Sequence, residues 1–246
     1  MSSLNGRVAI ITGSSRGIGR AIAEQLASDG ASVVVNYSRS KDEAQRVVSG
    51  IEAKSGKAIA IQADVSVVAE IRRLFRETIA KFGHVDIVVN NAGPGGGTPR
   101  PIAEISEEEF DSMFSGFARG PFFVMQEAAR NLADHGRIIN ISSAVTSLLP
   151  PFTSTYAGAK AAMEAFSGVL AAELGPRGIS VNVVAPGAIE TKMLRDLPKE
   201  FQDVLVQRTP FGIGKPGDIG GIVAYLAGDG GEWITNEKLR IDGGIR

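Results

Sequence analysis

The sequence contains no cysteine, which excludes disulfides, cysteine–zinc sites and thiolate nucleophiles. Histidine is scarce: His84 and His135 are the only two, too few for a histidine-rich metal cluster. Neither sign of charge is in excess. The 26 basic residues meet 27 acidic ones for a net of −1, which argues against a nucleic-acid binder relying on surplus Lys and Arg. Long apolar runs are also missing. Stretches such as Val8 to Ile11 fall far short of the ~20 residues a spanning helix needs. The opening MSSLNGRVAIITG has no basic region followed by a long apolar stretch. No membrane segment and a cytoplasmic location are therefore expected, and the Asn36-Tyr37-Ser38 and Asn140-Ile141-Ser142 triplets read as chance glycosylation matches. Glycine is abundant instead, at 30 of 246 residues, and its placement marks tight turns and close backbone approaches.

The chain alternates short β-branched runs with longer amphipathic stretches. Strands are expected over Val8–Thr12, Ser32–Tyr37, Ala58–Gln62, Ile87–Asn90, Arg137–Ser142, Ile179–Ala185 and Leu239–Ile241. Most are continuously apolar, as parallel strands buried on both faces are. Ile18, Ala21, Ile22 and Leu26 form a helical stripe stopped by Gly30, and Ile71, Leu74, Phe75, Thr78, Ile79 and Phe82 form another ended by Gly83. Ser106 and Glu109 have capping-box spacing. The repeated alternation predicts an α/β fold, a single doubly wound parallel sheet with helices on both faces. No linker or repeat divides the chain, so one domain over 1–246 is expected. Two segments follow strand ends, where open α/β sheets bind ligands: the glycine-proline loop Asn91–Pro101, and a substrate loop at about 186–210 with a short helix from Pro198 to Gln207.

The first of these strands leads into Thr12-Gly13-Ser14-Ser15-Arg16-Gly17-Ile18-Gly19. Its GxxxGxG spacing departs from GxGxxG, but the physics is shared. Glycines bring backbone amides close to a pyrophosphate at the positive end of a helix. Gly13, Ser15, Arg16, Gly17 and Ile18 are the candidate phosphate contacts. A strand-to-helix turn without a ligand is the plainer alternative. An NAD site commonly places Asp or Glu at the end of the second strand. Here that strand runs out as Tyr37-Ser38-Arg39, with no acid before Asp42. Arg39, assisted by Ser38 and with Arg16 as a second cation, suits a ribose 2′-phosphate, so NADP(H) is favoured and NAD(H) is the second choice.

At the other end of the predicted site, the strand from Arg137 delivers Ser142 and Ser143, and Tyr156-Ala157-Gly158-Ala159-Lys160 begins a helix. Tyr and Lys at i and i+4 share a face. A phenol with pKa near 10 is a poor acid or base at neutral pH, and a neighbouring ammonium is expected to lower it. With nicotinamide carrying hydride, Tyr156 would carry the proton and a serine hydroxyl would orient the substrate oxygen. A lone YxxxK pair would usually be an ordinary surface pair. Its weight comes from sharing a chain with the glycine turn.

Together these residues resemble the short-chain dehydrogenase/reductase family over essentially the whole chain, Arg7 to Gly244. The matching motifs are TGSSRGIG (Thr12–Gly19), Asp64-Val65, NNAG (Asn90–Gly93), NISS (Asn140–Ser143), YAGAK (Tyr156–Lys160) and PGAIET (Pro186–Thr191). The resemblance implies a seven-stranded Rossmann-type sheet in order 3-2-1-4-5-6-7 and a Ser143, Tyr156, Lys160 centre, the serine 13 residues before the tyrosine. It assigns Asp64, with Val65, to the adenine end, and Asn90, Ala92 and Gly93 to the ribose region. Pro186, Gly187, Ile189 and Thr191 go to the nicotinamide and phosphate region, and Lys160 also to the nicotinamide ribose. Homotetramers are common in the family, and the small residues Ala161, Ala162, Ala165 and Gly168 would permit close helix contact. One departure stands out. Many members carry an asparagine, holding a relay water, where counting places Phe117, and no asparagine lies between Asn91 and Asn131. Ser115, a backbone carbonyl or bulk water would have to complete the relay.

Phe152, Met193 and Leu194 frame the pocket as an apolar substrate slot. The motif wording is most similar to 3-oxoacyl-[acyl-carrier-protein] reductases, with an acyl thioester or other carbonyl/alcohol substrate. A sugar, quinone or other small carbonyl compound is the alternative. Acyl-carrier recognition would need basic residues beside the pocket, and Arg100, Arg119 and Arg130 are the candidates. A reading of another class is a catalytically weak NADP-binding sensor or partner subunit, kept open by Phe117.

Overall fold

A computed structural model describes residues 4–246. In chain order the elements are β1 (Val8–Ile11), α1 (Gly17–Ser28), β2 (Ser32–Tyr37), α2 (Lys41–Glu52), β3 (Lys57–Gln62), α3 (Val68–Phe82), β4 (Ile87–Asn90) and α4 (Glu107–Phe114). A π turn (Ser115–Arg119) joins α4 to α5 (Gly120–Asn131), followed by β5 (Arg137–Ile141), α6 (Val145–Leu148) and α7 (Ser154–Leu174). The chain continues through β6 (Ser180–Pro186), α8 (Lys192–Arg195), α9 (Lys199–Arg208), α10 (Pro216–Ala227) and β7 (Lys238–Ile241). The seven strands form one sheet in the order β3-β2-β1-β4-β5-β6-β7, every pairing parallel.

The period-2 geometry of a strand explains why the central runs are apolar throughout. Ala9 and Ile11 of β1, Val33 and Val35 of β2, and Ile139 and Ile141 of β5 pack on one face against Ile22 and Leu26 of α1 and Ile219 and Val223 of α10. The residues between them, Ile10, Val34 and Ile138, face the opposite layer, where Ile71, Leu74 and Phe75 of α3, Val124 and Met125 of α5 and Met163 of α7 cover the sheet. Both faces are dry, and the free edge for binding is the one at the strands' carboxyl ends.

Local signals also act as expected. Gly83 caps α3 at φ +89°, where glycine escapes the Cβ penalty, and the Ser106–Glu109 capping box opens α4. Several boundaries differ from the sequence expectation by a residue: β3 and β7 begin one residue earlier, at Lys57 and Lys238, and β6 is shifted one residue on, to Ser180–Pro186. Thr12 and Ser142 lie just past the ends of β1 and β5; their N–H groups still bond Val89 O and Val184 O across the sheet, while their hydroxyls bond Val89 O and Glu164. The helix expected from Pro198 to Gln207 runs from Lys199 to Arg208, since proline serves as its N-cap.

Candidate active site

The glycine turn is tied to strands on both sides. Gly13 N–H donates to Asn36 Oδ1 (3.1 Å) and Ser14 N–H to Asn36 O (2.9 Å). The Asn36 amide is held in turn by Ile61 O and Ala63 O. On the β4 side, Thr12 Oγ1 accepts from Asn91 N–H (2.9 Å) and Ala92 N–H (3.0 Å), while Asn91 Nδ2 donates to Thr12 O and Gly13 O. Gly13 sits at φ +63°, and a Cβ there would lie 2.8 Å from the Ala92 backbone, so glycine is required twice over. The next helix, α1, begins at Gly17 with Arg16 extended and no side chain capping it. Its orphan N–H groups and dipole therefore face outward, the arrangement that binds anions. Thr191 approaches the same turn, its methyl 3.5 Å from where a Cβ of Gly17 would be.

The expected adenosine contacts are unequal. Ser38 and Arg39 are exposed beyond β2, but Tyr37 is buried in the core and gives the cleft no ring. Neither Arg16 nor Arg39 joins an ion pair among the described residues. Half-buried Asp64 accepts from Ser66 Oγ (2.7 Å) and Ser66 N–H (2.9 Å), both at Oδ1. Those bonds, with the Arg39 charge adding to them, hold its carboxyl below the usual range. Asn90 corrects another expectation. Its side chain points into the interior, donating to Asn140 Oδ1 (2.8 Å) and Pro121 O, so only its backbone is left for a ligand. Ile189 and Pro186 are likewise buried, while Gly187 N–H is bonded to Ile241 O and Thr191 Oγ1 to Ile189 O.

At the chemical end, Ser143 opens the loop after β5, and Tyr156 and Lys160 lie on the first turns of α7. Ser143 stands near enough to the Tyr156 phenol to favour its ionised form, and its Oγ accepts from Val145 N–H at 3.3 Å. Lys160 is 4% exposed, and its Nζ donates to Ile141 O at 2.6 Å. Above it lies Phe117: Nζ is 4.4 Å from that ring's centroid, and the same ring meets Tyr156 edge-on at 5.1 Å. Phe117 therefore does occupy the position beside the lysine. It reaches it because residues 115–119 form a π turn, with Gly120 N–H bonded back to Ser115 O, an extra residue in the helical ladder. No bond joins the Ser115 hydroxyl to Lys160 among the described residues. A Cβ at Gly93 would collide with the Phe117 ring, which explains the glycine of NNAG here.

One expected effect is reversed. Burial dominates the phenol of Tyr156 and pushes its pKa up, with the neighbouring Ser143 hydroxyl opposing. Although Tyr156 keeps part of its surface open, enough protein surrounds its oxygen for desolvation to prevail over the expected depression. Burial also acts on Lys160: it lowers that pKa to about 7, and Glu164 pulls it back up. The lysine is thus aimed at a carbonyl and an aromatic face, contacts that favour a cation without removing the desolvation cost.

The rim is apolar and unusually shaped. Phe152 is half-exposed at φ +69° and its carbonyl accepts from Arg100 N–H (3.1 Å). Leu149, which the sequence did not single out, is 69% exposed at φ +47°. Non-glycine residues at positive φ cluster at binding sites. Across from them Met193, exposed, packs over Gly96 of the glycine-proline loop, beside half-buried Leu194. The three candidate acyl-carrier cations are not in one group: Arg100 pairs with Glu109, Arg119 bonds Ser66 O and stacks on Phe123, and Arg130 pairs with Glu127.

Comparison with known proteins agrees with this architecture. The profile of a family described as enoyl-(acyl carrier protein) reductase matches residues 13–246. An uncharacterized oxidoreductase of Methylorubrum extorquens is 46% identical over 100% of both chains. A Burkholderia cenocepacia short-chain dehydrogenase solved with NADP superposes with a TM-score of 0.92 at 39% identity, covering 98% of each chain. The angucycline C-6 ketoreductase LanV, solved with bound NADP, gives 0.91 at 37% identity over 99% of this chain and 96% of its own. The chain belongs to the short-chain dehydrogenase/reductase family and is an oxidoreductase.

Proposed function

We propose that the protein is an NADP(H)-dependent reductase of a carbonyl compound, acting in reverse on a secondary alcohol, with Ser143, Tyr156 and Lys160 as its catalytic residues. The observation that carries this reading is an unbroken line of contact along the sheet edge. Gly13 lies against Ala92, Gly93 against Phe117, and Phe117 against both Tyr156 and Lys160. Those residues would hold a dinucleotide bound at the glycine turn along the same edge as the phenol, where it would supply hydride chemistry.

The residues fit such a ligand. Gly13, Ser15, Gly17 and Ile18 offer a glycine cradle and a free helix N-terminus for the pyrophosphate. Asp64 and Val65 border the adenine end, and the backbones of Asn90, Ala92, Gly93, Pro186, Gly187 and Ile189 border the ribose and nicotinamide, with Thr191 closing over Gly17. Arg39 and Arg16, neither of which joins an ion pair among the described residues, favour a 2′-phosphate; the NADP bound by the Burkholderia protein and LanV supports the same choice. When bound, NADPH supplies hydride for the substrate carbon. Ser143 donates a hydrogen bond to the carbonyl oxygen and orients it. Tyr156, kept protonated by its raised pKa, gives its proton to that oxygen as negative charge develops. Lys160 supplies positive charge beneath the phenol and a donor for the nicotinamide ribose.

Phe152, Leu149, Met193 and Leu194 suit a small carbonyl compound with an apolar body, held in a single domain whose 186–210 segment covers the substrate. The scattered Arg100, Arg119 and Arg130 give less support to an acyl-carrier thioester, the 3-oxoacyl-reductase-like variant of the same chemistry. Exposed Trp233 (98%), Phe211 (92%) and Phe122 on the outer helices and loops support self-association, a homotetramer by family analogy. Phe117 favours one other reading, a weakly catalytic NADP-binding sensor. Following 340-nm absorbance of NADPH with a panel of aliphatic and aromatic ketones separates the two. Substrate-dependent oxidation is expected; tight NADPH binding with no oxidation on any ketone would establish the sensor.

A further inference from the structure

Glu164 has no part in the chemistry just described, yet it gathers donors from two other elements. It lies one helical turn beyond Lys160 on α7. Its Oε1 accepts from Ser142 Oγ and from Thr146 Oγ1 (2.7 Å), and its Oε2 accepts from Lys238 Nζ of β7 at 2.9 Å. Lys238 also donates to Thr146 Oγ1 at 2.6 Å. That leaves the single proton of Thr146 for Glu164 or for Ser143 O, 2.9 Å away. The Glu164 side chain is 17% exposed and that of Lys238 30%, so the pair is largely shielded from screening by salt.

The donors bracket Ser143. Past Ile141 the sheet ladder has ended, and only Ser142 N–H to Val184 O and Ala144 N–H to Pro186 O continue to fix the backbone. Helix α6 is four residues long and ends at Leu149 in a left-handed conformation, too short to hold itself. Ser143 Oγ accepts from Val145 N–H of its own short segment (3.3 Å), so that segment needs an outside anchor to hold the serine against a phenol carried on a different element. We propose that Glu164, braced by Lys238, is a positioning residue that clamps the Ser142–Thr146 segment to α7 and so sets Ser143 against Tyr156. This rests on the reading of Ser143 and Tyr156 as catalytic, and it adds a role for a pair 74 residues apart in sequence.

The clamp has an electrostatic side. The groups facing Lys160 are Tyr156 and Glu164 from α7, the Phe117 ring from the π turn and Ile141 O from β5, with Lys238 behind Glu164. Among them only Glu164 carries negative charge, and it raises the lysine's proton affinity against burial. Removing that charge lets the ammonium deprotonate at lower pH, so the alkaline limb of the rate profile moves down.

The test compares wild type with Glu164→Ala, Glu164→Gln and Lys238→Met, and uses crystal structures as well as kinetics. Glu164→Ala is expected to lower kcat on a reduced ketone by about 100-fold, the scale of a misplacement near 1 Å, with the NADPH Kd within about twofold. Ser143 should be displaced away from the phenol in its crystal structure. Glu164→Gln should fold normally, lose less activity and shift its alkaline limb to lower pH; Lys238→Met should resemble it in kcat. A Glu164→Ala structure with Ser143 in its wild-type position beside the phenol, or a fall in melting temperature with kcat unchanged, would overturn the proposal. The catalytic reading fails separately, if Ser143→Ala or Tyr156→Phe retains full turnover. The crystallographic outcome decides the clamp even then.

Discussion

At the glycine turn, backbone groups are fixed by backbone and amide partners: Gly13 and Ser14 hang from Asn36, and Thr12, Asn91 and Ala92 close the other side. At the chemical end the arrangement depends on side chains. Ser143 meets Tyr156, Lys160 rests under Phe117, and Glu164 reaches back to Ser142 and Thr146. A nucleotide's phosphates are the same in every relative, so a turn built from main chain can serve all of them. The reacting end must fit one substrate, and side-chain supports can be exchanged without disturbing the sheet. Phe117 in place of a relay asparagine is such an exchange. It gives a cation–π face and a dry seal where a polar group would admit water.

The comparison is broken most severely at Phe117. Replacing it with Asn removes a large ring that is 2% exposed and sets an amide in an apolar site. The expected cost is roughly 3 kcal/mol or more, a drop in melting temperature on the order of 10 °C for a domain of this size. Differential scanning calorimetry reads this directly, and an unchanged melting temperature would show that the ring is not a support. At the nucleotide end the effect should be smaller and confined to one ligand. Arg39→Ala is expected to weaken NADPH by about tenfold, the scale of a lost charge-assisted hydrogen bond in an exposed setting, while leaving NADH unaffected. Equal losses for both cofactors, measured by fluorescence titration, would remove Arg39 from 2′-phosphate recognition.

Much of this was legible in the residues. The runs at β2 and β4 matched to the residue, because their β-branched centres, Val33–Val35 and Ile87–Val89, are buried on both faces and flanked by polar residues and turn signals. Glycine and capping signals at Gly83 and Ser106 acted locally and so could be read locally. What stayed hidden depends on distance or register. The π turn shifts the helix by a residue through a segment whose composition is ordinary. Counting placed Phe117 beside the lysine, but not the ring over the ammonium. The upward push on Tyr156 was missed because a YxxxK spacing gives proximity and says nothing of burial. Asn36, taken as part of a strand end, is the main anchor of the glycine turn, and Glu164 and Lys238 come from separate elements with no motif joining them. The inward turns of Tyr37 and Asn90 were likewise invisible, since a side chain at a strand's last residue can face either layer.

The account stands on Tyr156 as the proton carrier beside bound NADPH. Its most direct test is Tyr156→Phe, assayed for NADPH affinity and for ketone-dependent oxidation in the same preparation. An unchanged Kd with turnover reduced by about 10²–10⁴-fold is the expected result, and turnover close to wild type would contradict it.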